Sequence, residues 1–402
     1  MNTNNYIKLK ILLSHFGRHN LDGYNRTYNL AIGLSKLGND VVVLTTAHKG
    51  YSLRIRTIKV SESLKVLVVP DFLPAKLRKG GFGLINCLYR IYYVLTHKFD
   101  IVHSDSGHRP VSGIPCYLSK VLYKSKYVAE WWDFFGKGGL YDSKKGLNRM
   151  LLGNYEHLTE VLSKKIADAI VVLSSAMELR AKQLLPNLTN IKIIRGGADI
   201  EAINYYEPGK FKSKYGYELD SFVFGFIGLN NQEVDDIVPF IEAFYKLRDK
   251  GFLNIHWFST GNSLVKKFYK KYNIGKEYKD FRFVDYSIYG EILSIADCFI
   301  LTLNNTMQNK HRWPNKIGDY LAAGRPILAA PVGELAFLIN KLPMSFIKVE
   351  HNSHDIEQKI ISLMKEKNIT KIGYLNRKYA EENASWNIRS KELNDFYISL
   401  YR

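Results

Sequence analysis

A carboxylate and a cation sit close together in the stretch Trp313-Pro-Asn-Lys-Ile-Gly-Asp-Tyr-Leu-Ala-Ala-Gly-Arg-Pro-Ile-Leu-Ala329. It reads as a short helix entered through Pro314, stopped at Gly324 and followed by a buried strand. Proline is tolerated at a first helical position because its missing N–H would find no partner there. Glycine past the last turn takes the left-handed cap, and Pro326 prevents continuation. Lys316 then falls in the first turn, where a cation opposes the helix dipole; it is either solvated or faces an anionic ligand. Asp319 is a structural carboxylate or an acceptor for ligand hydroxyls. Elsewhere, Gly17 and Gly23 bound the segment Phe16-Gly-Arg-His-Asn-Leu-Asp-Gly23, where glycine permits close backbone approach and Arg18 is a candidate anion ligand. His103 and His108 fall at the end of one strand, and Trp131, Trp132 and Asp133 at the end of another.

These side chains need a scaffold, and the sequence predicts an α/β one. Strands are expected at Lys10–Ser14, Asp40–Thr45, Lys65–Val69, Ile101–His103, Tyr127–Trp131, Ala169–Leu173 and Ile191–Ile194. The pattern repeats with Phe222–Gly228, Leu253–Ser259, Phe281–Val284, Cys298–Leu303 and Ile327–Ala330. Continuous β-branched runs separated by helices imply parallel sheets covered on both faces. Two doubly wound domains are expected, 1–200 and 205–384, with a last helix at 385–402 packing back on the first. In such sheets ligands bind outside the carboxyl ends of the strands, and with two domains the cleft between them is the expected site.

Composition narrows the class. Hydrophobic residues make up 46% of 402, and no run approaches the roughly 18 apolar residues of a membrane span. Three distant cysteines, Cys87, Cys116 and Cys298, argue against a disulfide framework or a zinc site. No metal is expected, and with no apolar signal segment a reducing cytoplasm is the expected compartment. Of the net charge of +19, residues 1–200 carry +15, from 29 basic and 14 acidic side chains. A basic half suits a membrane surface, a nucleic acid or a phosphorylated substrate. No helix-turn-helix, zinc or RNA-binding signature supports nucleic acid.

The segment from Pro314 to Ile327 resembles the donor-binding helix of GT-B glycosyltransferases of the large retaining family 4, the glycosyl transferases of group 1. Further fragments occur in the family's order: Asn29–Leu44, Asp100–His103, Ala167–Ser174, Arg195-Gly-Gly-Ala-Asp199, Phe224-Gly-Phe-Ile-Gly228 and Ala296-Asp-Cys-Phe-Ile300. The resemblance implies two Rossmann-like domains. A nucleoside-diphosphate sugar, UDP- or GDP-linked, is bound mainly by the C-domain as a substrate, with no other cofactor. The sugar passes to an acceptor on the N-domain with retention of configuration and without a metal. It also implies donor contacts from Asp319 (the ribose), Asn315, Lys316 and the Gly17–Gly23 loop. Asp133 falls beside the family's catalytic-face histidine position, which is Trp132 here. Asp133 is the candidate catalytic or acceptor-orienting group, and Arg18, Trp132 and His108 are the acceptor-binding candidates.

The chain departs from the family at the phosphate clamp. The family's arginine after the first C-domain strand falls on Leu229, its lysine six positions later on Asp235, and the first of its two glutamates on His311. Arg195, Arg312 or Lys316 is expected to substitute. The expected function is transfer to a lipid-linked or oligosaccharide acceptor in bacterial surface polysaccharide assembly. A non-catalytic, glycosyltransferase-like subunit is the alternative. Residues 74–97 place Lys76, Arg78, Lys79 and Arg90 beside apolar and aromatic residues, a composition suited to an anionic membrane or to a buried helix behind a basic loop.

Overall fold

Two largely parallel sheets organise the chain. In the computed structural model, all residues are described except 1–6, 22, 49–53, 73, 75–79, 231–233 and 264–265. Two units result: residues 1–196, 311–313 and 386–402 form the first, and 197–310 with 314–385 the second. The chain therefore returns to the first unit for His311–Trp313 and again for its last helix, Trp386–Ser399.

In the first unit the strands are β1 (Lys10–Arg18), β2 (Asp40–Thr46), β3 (Arg56–Lys59), β4 (Leu64–Val69), β5 (Ile101–Ser104), β6 (Lys126–Trp131), β7 (Ala169–Val172) and β8 (Ile191–Ile193). Their order is β3-β4-β2-β1-β5-β6-β7-β8, and only β3 runs antiparallel to its neighbour. The chain reverses direction across the sheet between β1 and β5, the place where doubly wound folds take ligands. One face is covered by the helices Tyr24–Lys36 and Trp386–Ser399 through Leu30, Leu34, Leu393 and Tyr397. The other receives the crossovers after β4, β5 and β6, which the right-handed rule puts on one side; Tyr93, Val94 and Cys116 pack there against Leu12, Val42 and Val102.

In the second unit β9 (Phe222–Leu229), β10 (Ile255–Gly261), β11 (Tyr278–Asp280), β12 (Cys298–Leu301), β13 (Ile327–Ala329) and β14 (Phe346–Lys348) are all parallel, in the order β11-β10-β9-β12-β13-β14. Phe240, Phe244 and Trp257 dominate its largest core cluster. Several expectations need correction. The strand expected at Phe281–Val284 is Tyr278–Asp280, and β3 and β14 were not expected. Both are short edge strands whose Arg and Lys residues hide the apolar signal.

Candidate functional site

In the second unit the candidate site is built at the end of β9. Gly228 adopts φ +64°, is exposed, and has no atom within 4 Å of where a Cβ would stand. The helix Lys316–Ala323 is tied to this strand end. Ile227 N–H donates to the Tyr320 hydroxyl at 3.1 Å, and Lys316 Nζ lies 4.0 Å from the centre of the Phe226 ring. The helix starts at Lys316 behind Asn315, so Pro314 precedes it by two residues instead of occupying its first turn. Gly324 caps it at φ +67°, as expected.

Asp319 accepts a hydrogen bond from the Tyr289 hydroxyl at 2.7 Å. Tyr289 stacks on Tyr286, whose hydroxyl donates to Asp199 at 2.5 Å. Burial pushes the Asp319 carboxyl up to about 7, with Asp199 adding to the rise and the Tyr289 bond and Lys316 opposing it. At neutral pH it therefore exchanges between a hydroxyl-accepting carboxylate and an acid. The loop after β12 is fixed by a residue that the sequence did not single out. Buried Asp236 accepts from Asn304 N–H and Asn309 Nδ2, each at 2.8 Å, while its carbonyl accepts from Thr302 Oγ1 at 2.7 Å. Leu229 is buried in the apolar core and Asp235 is exposed, so neither provides a cation at this strand end.

The first unit presents a different edge. The strand β1 continues through Gly17 to Arg18, with its register shifting after Ser14. Gly17 is thus buried strand, its carbonyl accepting from Thr45 Oγ1 at 3.2 Å, rather than part of a loop. Gly23 caps the helix Tyr24–Lys36 at φ +86°, and a Cβ there would stand 2.4 Å from the Trp132 ring. Its glycine is therefore required by the packing of Trp132, which also meets Phe16 edge-on at 5.9 Å.

Between β1 and β5 lies a polar cluster missed in the sequence. His15 Nδ1 meets Asp105 Oδ2 at 2.5 Å, and Asp105 also accepts from Phe16 N–H at 3.0 Å and Thr27 Oγ1 at 3.1 Å. His15 Nε2 is buried without a partner among the described residues. The residues lie ninety positions apart in sequence; the signal that could have found them is the switch-point rule applied to Leu13-Ser-His15 and Ser104-Asp105. Arg90, expected at a membrane, is instead buried beneath this cluster, donating to the His15 carbonyl at 2.7 Å and to Asn86 Oδ1 at 2.8 Å. Arg26, in the helix Tyr24–Lys36, is buried against Glu130, with bonds of 2.5 and 2.8 Å, and against the carbonyls of Ile194 and Arg195.

Asp133 is half-buried, its carboxyl pushed upward by burial and held back by Arg312. Arg312 belongs to the first unit with His311 and Trp313, not to the second. The Ser174 hydroxyl donates to the His311 carbonyl, and the His311 ring meets Phe134 at 5.2 Å. Arg195 is in the first unit too, beside Ser175 Oγ at 3.3 Å and over Trp313 at 5.9 Å. Arg18 ends β1 partly exposed. His108 is enclosed against Phe135, and burial with Arg109 nearby holds its basicity well below that of a free imidazole. An enclosed neutral ring is not presented to an acceptor. His103 is likewise internal, bonded through Nδ1 to the Tyr397 hydroxyl at 2.5 Å.

Two doubly wound units of this strand order make the GT-B fold, which is shared by solved structures similar to this chain. Sucrose-phosphate synthase from Thermosynechococcus elongatus aligns with TM-score 0.76 at 12% identity, over 98% of this chain and 99% of its own. Anabaena HepE, in complex with UDP and glucose, aligns with TM-score 0.69 at 12% identity, over 97% and 100%. WaaG, a glycosyltransferase of lipopolysaccharide biosynthesis, gives 0.68 at 12%, over 96% and 99%. No curated protein matches the chain. Residues 221–366, nearly all within the second unit, match the family described as Glycosyl transferases group 1. The chain thus has the GT-B fold, and its residues 221–366 are similar to the group 1 glycosyl transferases.

Proposed function

We propose that the protein transfers a sugar, with retention and without a metal, from a nucleoside-diphosphate sugar to a lipid-linked glycan during assembly of a bacterial surface polysaccharide. The cytoplasmic face of the membrane is where such an acceptor is elongated. The observation that carries this reading is Asp319, held by Tyr289 on a helix tied to the open end of β9. As a carboxylate it would accept the two ribose hydroxyls. Lys316 and the amides at the helix start would face the diphosphate, whose growing charge as a leaving group needs preorganised positive dipoles. HepE, bound to UDP and glucose, supports a nucleotide sugar as the ligand class. Asp133 and Trp132 in the first unit are the acceptor-side candidates.

Thermal unfolding with UDP, GDP and their sugars tests the donor: a rise in Tm with one nucleotide series is expected, because ligands that bind only the folded state stabilise it. No rise with any of them would overturn the reading. Buried Leu229 and exposed Asp235, where the resemblance expects phosphate cations, favour a second reading, a subunit without turnover. Nucleotide binding with no donor hydrolysis or transfer would select it.

A further inference from the structure

We infer that an exposed apolar face formed by three neighbouring helices of the first unit docks the protein on an anionic lipid bilayer. The helix Leu84–Thr96 turns Leu84, Ile85, Leu88, Tyr92 and Leu95 outward, with Leu84 69% exposed. The helix Pro110–Tyr123 exposes Ile114, Tyr117, Val121 and Leu122. The helical segment from Gly146 to Lys165 exposes Leu147, Met150, Leu151, Tyr155, Leu158 and Leu162, with Leu158 70% exposed. Within each helix the spacing follows one stripe, so the exposure is a continuous face of each cylinder rather than scattered residues.

The three stripes adjoin. Tyr123 Oη donates to the Leu95 carbonyl at 2.5 Å, joining the first helix to the second. Lys120 Nζ donates to the Ile166 carbonyl at 2.9 Å, and Tyr155 Oη to the His108 carbonyl at 3.1 Å, joining the second to the third. Phe82 meets Tyr155 at 5.5 Å and closes the set. All three are right-handed crossovers on one side of the sheet, so the layer has an inner face on the strands and an outer face with no strand to cover it. An apolar patch of this extent on a water-facing surface marks an interaction site.

Charge selects the occupant. No acidic side chain is exposed on these helices; Glu156 and Glu160, the acids they contain, are 1% and 0% exposed and face inward. Glu160 accepts from Trp131 Nε1 and Phe135 N–H, and Glu156 is paired with Arg109 and Lys144. Around the face stand exposed Lys98, Lys124, Lys145 and Lys165, with Arg149, which lies 3.6 Å from the exposed Asp142. A second copy would bring two cationic rims together, whereas an anionic leaflet neutralises the rim while the leucines and tyrosines enter its interfacial layer. The face takes in two helices beyond the segment 74–97 expected from the sequence; Arg90 has no part in it, and Lys76, Arg78 and Lys79 lie outside the described residues. Docking at a bilayer serves an enzyme with a lipid-linked acceptor, and in that sense it rests on the function proposed for the chain.

The test is co-sedimentation of the full chain with phosphatidylcholine vesicles, with and without phosphatidylglycerol, at low and high salt. Binding to the anionic vesicles alone is expected, falling about fivefold for each of Lys98, Lys124 and Lys145 changed to Ala. A variant combining Leu88→Glu, Val121→Glu and Leu158→Glu should lose at least about tenfold in partitioning, since each change removes membrane-buried apolar area. These positions are exposed, so an unaltered circular dichroism spectrum and Tm confirm folding. Failure of the wild-type chain to bind anionic vesicles, or undiminished binding by the triple variant, overturns the inference. So does a dimer in light scattering that the triple variant dissolves while vesicles are ignored, which would assign the face to a second copy. Nucleotide-dependent Tm is read separately: vesicle binding without any nucleotide shift would leave docking in place and remove the donor reading.

Discussion

The two units share a strand order and differ in what stands at its carboxyl edge. In the first, the edge between β1 and β5 is filled by side chains already bonded to one another: His15 with Asp105, and Arg90 with Asn86 and the His15 carbonyl, while Arg26 is paired with Glu130 at the end of β6. In the second, the next-to-last residue of β9 is the exposed Gly228, with open space among the described residues where a Cβ would stand, and the nearby carboxylate Asp319 has one tyrosine partner and a raised proton affinity. Paired buried charges hold a fold in one geometry, and a group left between two protonation states is poised for a ligand. The same topology therefore hosts a structural edge and a candidate binding edge.

The largest effect that would sharpen this contrast lies in the first unit. Arg26→Met leaves the Glu130 carboxylate buried without its main partner, and a loss of about 3–5 kcal/mol is expected in urea unfolding. A loss below about 1 kcal/mol would mean that the edge is not held by that pair. Next comes Asp319→Asn, which keeps an acceptor for Tyr289 but never carries charge. Nucleotide affinity should fall at least about tenfold, or about 1.4 kcal/mol, by calorimetry. The fold should persist; unchanged affinity would move the ribose site elsewhere.

The pH dependence separates the edges further. Because the folded-state Asp319 carboxyl sits near 7, above its unfolded value, the folded form holds the proton longer. Its contribution to stability is complete at acid pH and declines as pH rises from about 4 to 7. Nucleotide binding should move the other way, rising about tenfold between pH 6 and 8 as the carboxylate forms. A flat profile in wild type, or the same slope in Asp319→Asn, would assign the titration to another group. Smallest is Lys316→Met: removal of its charge from the Phe226 ring should change stability by less than about 1 kcal/mol, with a few-fold weaker donor affinity. Equal affinity in that variant would mean that Lys316 is merely solvated.

Much of the fold was legible because its strands are buried on both faces. Val41–Leu44 and Ile170–Val172 are continuous apolar runs that have no other home in water. Arg56–Lys59 and Phe346–Lys348 were not legible, since an edge strand is held by one neighbour's hydrogen bonds and needs no apolar pattern. On the site, Lys316, Asp319 and Gly324 were readable because one helix carries them all. Arg312 and Arg195 were expected to substitute for the family's phosphate cations; that both fall in the first unit was not legible, because the chain returns to that unit for only three residues at 311–313. Glu130 was not legible as the partner of Arg26, because the two lie 104 positions apart.

The sequence by itself determined the two doubly wound sheets, the place of Asp319 on its helix and the basic character of the first half. Each of these follows from local periodicity, capping and composition. Only the tertiary structure decided that Arg26 and Arg90 are internal, that His108 is enclosed, and that the leucine stripes of three helices point away from the strands. Burial belongs to packing between distant segments: a leucine at helical spacing reads alike in sequence whether the face it belongs to meets a sheet or a solvent boundary.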